Sequence, residues 1–257
     1  MVSKIYYFSG TGNCLAVSQK INEKLSEKSD IISIPTLEGK QFIEADRIGF
    51  VFPVYYHKVP DIVKRFILNA EFIKFPYIYA VATQAGETGQ SLFDVQKFLM
   101  KKGQSLSLGI AIDMPGNAIE TKPNDEVKCL SALEQKAIEI AGFIELQKNG
   151  FIDGNNGLLE SIRNSIVKYI SYNFVFAPKR YKINSSCNGC GICEKICPIN
   201  NIHLVNHKPE WKKKCTNCLA CFHWCPKEAI YLNIGKLGKR RKYHHPDISI
   251  KDMLKRN

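Results

Sequence analysis

The chain has no run of eighteen apolar residues among its 257, so no membrane-crossing helix is expected. Its opening residues, MVSKIYYFSG, lack the apolar stretch of a secretory leader. Together these absences predict a cytoplasmic protein with no membrane partner. No HExxH run, paired carboxylates or Ser/His/Asp set stands out, which argues against hydrolytic chemistry. The nucleotide loop G-x4-G-K-[ST] is missing too. Acidic residues are scarce in one place only. After residue 177 there are five Asp and Glu against seventeen Lys and Arg, whereas residues 1–177 carry nineteen of each sign. The formal net charge of +12 therefore belongs wholly to the C-terminal third.

What the chain has in quantity is cysteine. Eight of the ten cysteines lie after residue 186. In a reducing compartment they read as metal or redox ligands, not as disulfides. Charge and cysteine change at the same place, so a medium domain and a small one are expected. The joint falls at Ala177-Pro178-Lys179-Arg180, where a proline ends a helical pattern. The expected boundaries are 1–177 and 178–235, with 236–257 as a basic tail.

The first unit alternates strands and helices. Lys4–Phe8, Asp30–Ile34, Ile48–Phe52, Tyr77–Ala82 and Ser107–Ile112 read as strands. Helices are expected from Asn13 to about Lys28, from Pro60 to Ile67, from Leu92 to Lys101 and from Glu126 to Leu146. Five strands separated by helices predict an α/β fold with an open parallel sheet covered on both sides. Right-handed crossovers then gather the strand-to-helix loops at one edge, where such sheets bind ligands. A further apolar stripe, Leu158, Leu159, Ile162, Ile166, Ile170 and Phe174, is expected to pack on the sheet domain.

The cysteines form a repeat. Cys187, Cys190, Cys193 and Cys197 precede Pro198, and Cys215, Cys218, Cys221 and Cys225 precede Pro226. Both runs read C-x2-C-x2-C-x3-C-P, and the second follows the first by 28 residues. Three thiolates at this spacing sit on a tight loop that wraps one face of an iron–sulfur cube, while a fourth comes from elsewhere. Structural zinc takes pairs without a third cysteine in the run, so zinc fits less well. Over Ser185–Leu232 the chain resembles the bacterial two-[4Fe–4S] ferredoxins at all eight ligand positions. The resemblance implies that the fourth cysteine of each run ligates the other cluster. One [4Fe–4S] cluster would then take Cys187, Cys190, Cys193 and Cys225, and the other Cys215, Cys218, Cys221 and Cys197. The resemblance departs in charge. Lys212-Lys213-Lys214 and the tail residues Lys236, Lys239, Arg240, Arg241 and Lys242 make this segment basic. That suggests docking of an acidic redox partner. No helix-turn-helix or RNP motif accompanies the charge, so no nucleic-acid partner is expected.

Directly after the first strand stands Ser9-Gly10-Thr11-Gly12-Asn13-Cys14. Backbone N–H groups and hydroxyls on such a turn, followed by a helix N-terminus, make a phosphate cradle. The dinucleotide fingerprint would need glycine where Leu15 stands. The turn instead resembles the flavodoxin pattern [ST]-x-T-G-x-[ST], with Cys14 in place of the last hydroxyl. The resemblance extends over the first unit and implies a doubly wound five-stranded sheet of order 2-1-3-4-5 with FMN at its switch point. It also implies that Pro53, Val54, Tyr55 and Tyr56 after the third strand, and Thr83, Gln84, Ala85 and Gly86 after the fourth, flank the flavin. Met114-Pro115-Gly116-Asn117 lies at the same edge. His244-His245 reads as surface. The whole resembles a flavodoxin-like domain fused to a small α+β two-[4Fe–4S] ferredoxin domain. That likeness implies single-electron transfer between the clusters and FMN. The alternative is a ferredoxin whose flavodoxin-like unit has lost FMN and docks a partner enzyme.

Overall fold

Phe50, Val51 and Phe52 are apolar at consecutive positions, which only a strand covered on both faces can bury. The computed structural model describes residues 1–155, 157–235, 238 and 240–254, and it covers that strand on both faces. In chain order the first part contains β1 (Ser3–Tyr7), α1 (Asn13–Lys24), β2 (Asp30–Ser33), β3 (Gln41–Ile43), β4 (Arg47–Pro53) and α2 (Asp61–Asn69). It continues with β5 (Ala70–Phe72), β6 (Tyr77–Gln84), α3 (Ser91–Met100), β7 (Leu108–Asp113), α4 (Pro123–Glu145) and β8 (Phe151–Ile152). The main sheet is parallel with order β2-β1-β4-β6-β7-β8. The five strands expected from sequence thus stand in the order 2-1-3-4-5. α1 packs with α4, and α2 with α3, as a doubly wound sheet requires.

Two additions were not foreseen. β8 extends the sheet through two residues paired with Leu108 and Gly109, too short a run to show a period. β3 and β5 form a separate parallel pair. Helix α1 also stops at Lys24, short of Lys28. The Lys28 ammonium instead donates to the carbonyls of Glu23 and Leu25, which are left open by the helix end.

The apolar stripe after residue 157 does the reverse of what its pattern suggests. It forms α5 (Leu158–Ile170), followed by a π-turn at Ser171–Val175. Leu159 is 84% exposed, and Ile162, Ile166, Ile170 and Phe174 are exposed as well; the Leu158 side chain lies outside the described set. The polar side faces inward instead, with Asn164 fully buried. The cause lies in the surface it meets. Asp61 at the start of α2 pairs with Lys168 at 2.7 Å, and Lys58 donates to Ser165 Oγ at 2.8 Å.

The cysteine-rich part contains β9 (Tyr181–Ile183), α6 (Ile192–Lys195), β10 (Ile202–Val205), β11 (Lys208–Trp211), α7 (Ala220–His223) and β12 (Ile230–Leu232), and α8 (Ile250–Leu254) follows. β9 pairs antiparallel with β12, and β10 with β11. Its core gathers Tyr181, Phe222, Ile230 and Leu232, with Trp211 stacked on Tyr181 at 5.5 Å. A unit of this size buries too little apolar surface to stand unaided. It leans on the sheet domain: Ile196, Cys218, Ala220, Trp224, Ile248 and Met253 belong to the larger core. Among the described residues no helix is long and apolar enough to cross a membrane.

Gly49 in β4 pairs with Tyr79 in β6, and a Cβ there would overlap the fully buried Tyr79 ring. Gly49→Ala is expected to cost about 1–3 kcal/mol through overpacking. Urea unfolding followed by far-UV circular dichroism measures it, and an unchanged midpoint would contradict the packing described.

Candidate cofactor sites

β1 ends at Tyr7 and α1 begins at Asn13, so the glycine-rich turn spans the switch point of the sheet. Gly12 adopts φ 94°, a left-handed conformation that suits glycine. The turn folds around Ser9. Its Oγ accepts from the N–H of Gly12 at 3.0 Å and of Cys14 at 3.3 Å. The Cys14 thiol is paired with Thr83 Oγ1 at 3.2 Å, and burial pushes its pKa up to about 12. It is therefore a neutral thiol tied to the end of β6.

The flavin-loop residues named from sequence line one slot, except Gly12, Tyr56 and Gly86. The outer side of Gly12 faces Ile248 and His245. Tyr56, at φ 54°, turns away and packs on Phe176 at 6.3 Å. Gly86 opens on a neighbouring groove that also holds Asp113 and Lys128. Met114–Asn117 completes the slot from the end of β7.

The cysteine-rich unit roofs the phosphate turn beside this slot, though none of its residues lines the slot itself. A Cβ on Gly10 would overlap the Cys218 carbonyl. Trp224 Nε1–H donates to the Gly10 carbonyl at 3.0 Å. Asn117 Nδ2 donates to Tyr55 Oη and to the Cys218 carbonyl, both at 3.3 Å. The Asn117 carbonyl accepts from His223 Nε2 at 2.9 Å, and His223 Nδ1 accepts from the Tyr243 N–H at 3.0 Å. One donor and one acceptor make this imidazole neutral, and burial, the largest influence, pulls its pKa down to about 3.

The residues expected at a phosphate are thus together: a glycine turn, hydroxyls and a helix N-terminus, with no cationic side chain. In chemistry they fit the phosphate of a flavin. In space the slot is tight. Its cavity of about 40 Å³ holds about three waters at roughly 10–15 Å³ each, whereas small-molecule sites run to about 300–1,000 Å³. A flavin ring needs the lining loops to move apart.

The cysteines sit as two crossed sets. Cys187, Cys190, Cys193 and Cys225 line one cavity. Cys221 has Cys215, Cys218 and Cys197 as its charged neighbours. Each run therefore lends its last cysteine to the other. Among the described residues no three His, Cys, Asp or Glu side chains converge closely enough for a single metal ion. The Cys187 set lines a cavity of about 20 Å³. Gly189 and Gly191 bend the first loop at φ 70° and 76°, and Asn217 and Leu219 repeat this at 54° and 59°. Backbone N–H groups of Asn201 and Ala229 point at Cys197 and Cys225 at 3.2 and 3.3 Å. Such bonds to sulfur tune cluster potentials. Burial pushes Cys215 up to about 12 and Cys193 to about 11, and iron coordination deprotonates thiols so placed. Cys190 is exposed, whereas Cys197, Cys218 and Cys221 are buried.

The tail differs from expectation in part. His245 is 1% exposed, not a surface residue, whereas His244 is exposed as expected and stacks on Trp224 at 4.4 Å. Arg240 and Lys242 pack over the Phe222 ring, and Arg241 pairs with Glu126 and Glu120. These cations are spent inside the molecule. Lys212, Lys213 and Lys214 are exposed; Lys236 and Lys239 lie outside the described residues. Trp224, Tyr243 and His245 were not expected at the slot, and no local pattern marks them, since their partners lie more than 200 residues away.

A family profile described as a flavodoxin domain matches residues 4–114, and one described as a 4Fe-4S dicluster domain matches residues 186–230. The chain is a flavodoxin–ferredoxin fusion. The cofactors of these two domains are [4Fe–4S] clusters and a flavin, and their common role is electron transfer. No curated protein matches the fusion. Among solved structures it is similar to a flavodoxin from the domain Archaea, with 14% identity, TM-score 0.39, and 56% of this chain and 99% of that chain covered. The Streptococcus pneumonia TIGR4 flavodoxin shares 18% identity at TM-score 0.40, covering 55% and 99%. The two-electron reduced Megasphaera elsdenii flavodoxin shares 18% at TM-score 0.36, covering 53% and 98%.

Gly10→Ala tests the seat of the roof. The added methyl should displace the Cys218 carbonyl at a cost of about 1–3 kcal/mol. Hydrogen exchange is expected to rise at residues 9–14 and 218–224 while β4 and β6 stay protected. Unaltered exchange in both segments would refute the contact.

Proposed function

We propose that the fusion is an electron carrier that passes single electrons between two [4Fe–4S] clusters and FMN within one chain. Cys187, Cys190, Cys193 and Cys225 hold one cluster, and Cys215, Cys218, Cys221 and Cys197 the other. The turn Ser9–Cys14 holds the flavin phosphate, and Val54, Tyr55, Thr83, Gln84 and Ala85 line the space beside it. The clusters supply one-electron steps, and a flavin supplies a store for two electrons. The observation that carries this reading is the seat of Cys218 on Gly10. It sets a ligand of the second set on the rim of the phosphate turn, so the buried set adjoins the slot. The exposed Cys190 makes the other set the port to an external partner. The chain's own part is to fix these positions, exclude water and shape the polarity around sulfur.

The exposed Lys212–Lys214 run supports an acidic redox protein as that partner. Ten cysteines, eight of them in two ligand runs, suit a reducing, cytoplasmic setting. The small volume of the slot favours a second reading, in which the flavodoxin-like domain has lost FMN and serves as a docking module for the clusters.

Anaerobic reconstitution separates the two. The first reading expects about eight irons and about one FMN per chain. Eight irons without flavin would leave the second. In addition, Cys225→Ala should remove iron from the set containing Cys190 and leave the Cys215 set spectroscopically visible by EPR. Loss confined to the Cys215 set would refute the crossed assignment.

A further inference from the structure

We infer that the strap Tyr243–Ile248 backs the phosphate turn of the flavin site, in which Tyr243 and the His245 backbone position that turn. This rests on the flavin reading above. The strap crosses the outer side of the turn. Tyr243 Oη donates to Asn13 Oδ1 at 2.7 Å. The His245 N–H donates to the Thr11 carbonyl at 2.9 Å. Ile248, 3% exposed, lies over Gly12. The strap is itself turned tightly, with the Ile248 N–H on the His245 carbonyl at 3.2 Å.

The consequence for the turn is directional. Its outward carbonyls are engaged, Gly10 by Trp224 and Thr11 by His245. Asn13 is tied at both ends, because its Nδ2 donates to the Pro115 carbonyl at 2.9 Å. A peptide flip that aimed either carbonyl into the slot would break one of these bonds and meet a phosphate with like charge. The turn carries no Lys or Arg to offset such a flip. Its affinity for an anion depends on the amides being aimed inward beforehand, and the strap fixes that aim. Tyr243 and His245 touch the turn and not the slot, which makes them positioning residues.

The test uses the full chain, reconstituted with iron, sulfide and FMN, and follows FMN release by the fluorescence of the freed flavin. Tyr243→Phe removes one hydroxyl bond and should speed release by about 2- to 12-fold, the equivalent of one ordinary hydrogen bond. Ile248→Asp and a chain ending at Lys242 should speed it further, with iron content unchanged. Release at the parent rate in all three, with iron retained, overturns the inference and leaves the flavin reading standing. Loss of iron in step with flavin also overturns it, because the strap would then be a general support. FMN uptake by the shortened chain alone overturns it, since a strap that positions the turn for the phosphate would not oppose binding. FMN uptake by neither refutes the flavin reading and this inference with it.

Discussion

One contact organises the molecule: a glycine without a side chain at position 10, against the backbone of Cys218. The carbonyl of the cysteine loop rests where any other residue would place a methyl group. Because the approach is that close, Trp224 reaches the Gly10 carbonyl and Asn117 bridges Tyr55 to Cys218. The orientation of the second domain on the first follows from these bonds.

The small domain shows how weak hydrophobic burial is supplemented. Its own apolar core is a handful of residues around Phe222. Two cations of the tail, Arg240 and Lys242, pack over the Phe222 ring, while Arg241 reaches Glu120 and Glu126 of the first domain. The positive charge counted in the sequence is thus partly structural. On the surface stand the lysine run between the two cysteine motifs and, more scattered, Lys179, Lys182, Lys195, Lys208, Lys227 and Lys251.

The sheet was legible because its evidence is local. Phe50, Val51 and Phe52 declare a strand covered on both faces, and the glycine turn marks where the first strand ends. The cysteine spacing is local too. What escaped the sequence depends on distant partners. Trp224 and His245 read as ordinary residues until Gly10 and Thr11 are placed beside them. Leu219 gives no hint of a left-handed backbone, because the ligand loop imposes it against the preference of a γ-branched side chain. The stripe on α5 misled for a physical reason. Periodicity shows that a helix has two faces, but Asp61 and Lys58 decided which face turned inward.

Asn13 and Tyr243, which share a hydrogen bond, are separated by 230 residues. A ribosome adding about 5–20 residues per second makes the phosphate turn roughly ten to fifty seconds before the tyrosine that covers it. Through that interval the nascent sheet domain presents an uncovered turn to the surrounding solution. The turn gains its outer support only once residue 243 has been made, so its final shape waits on a partner far along the chain.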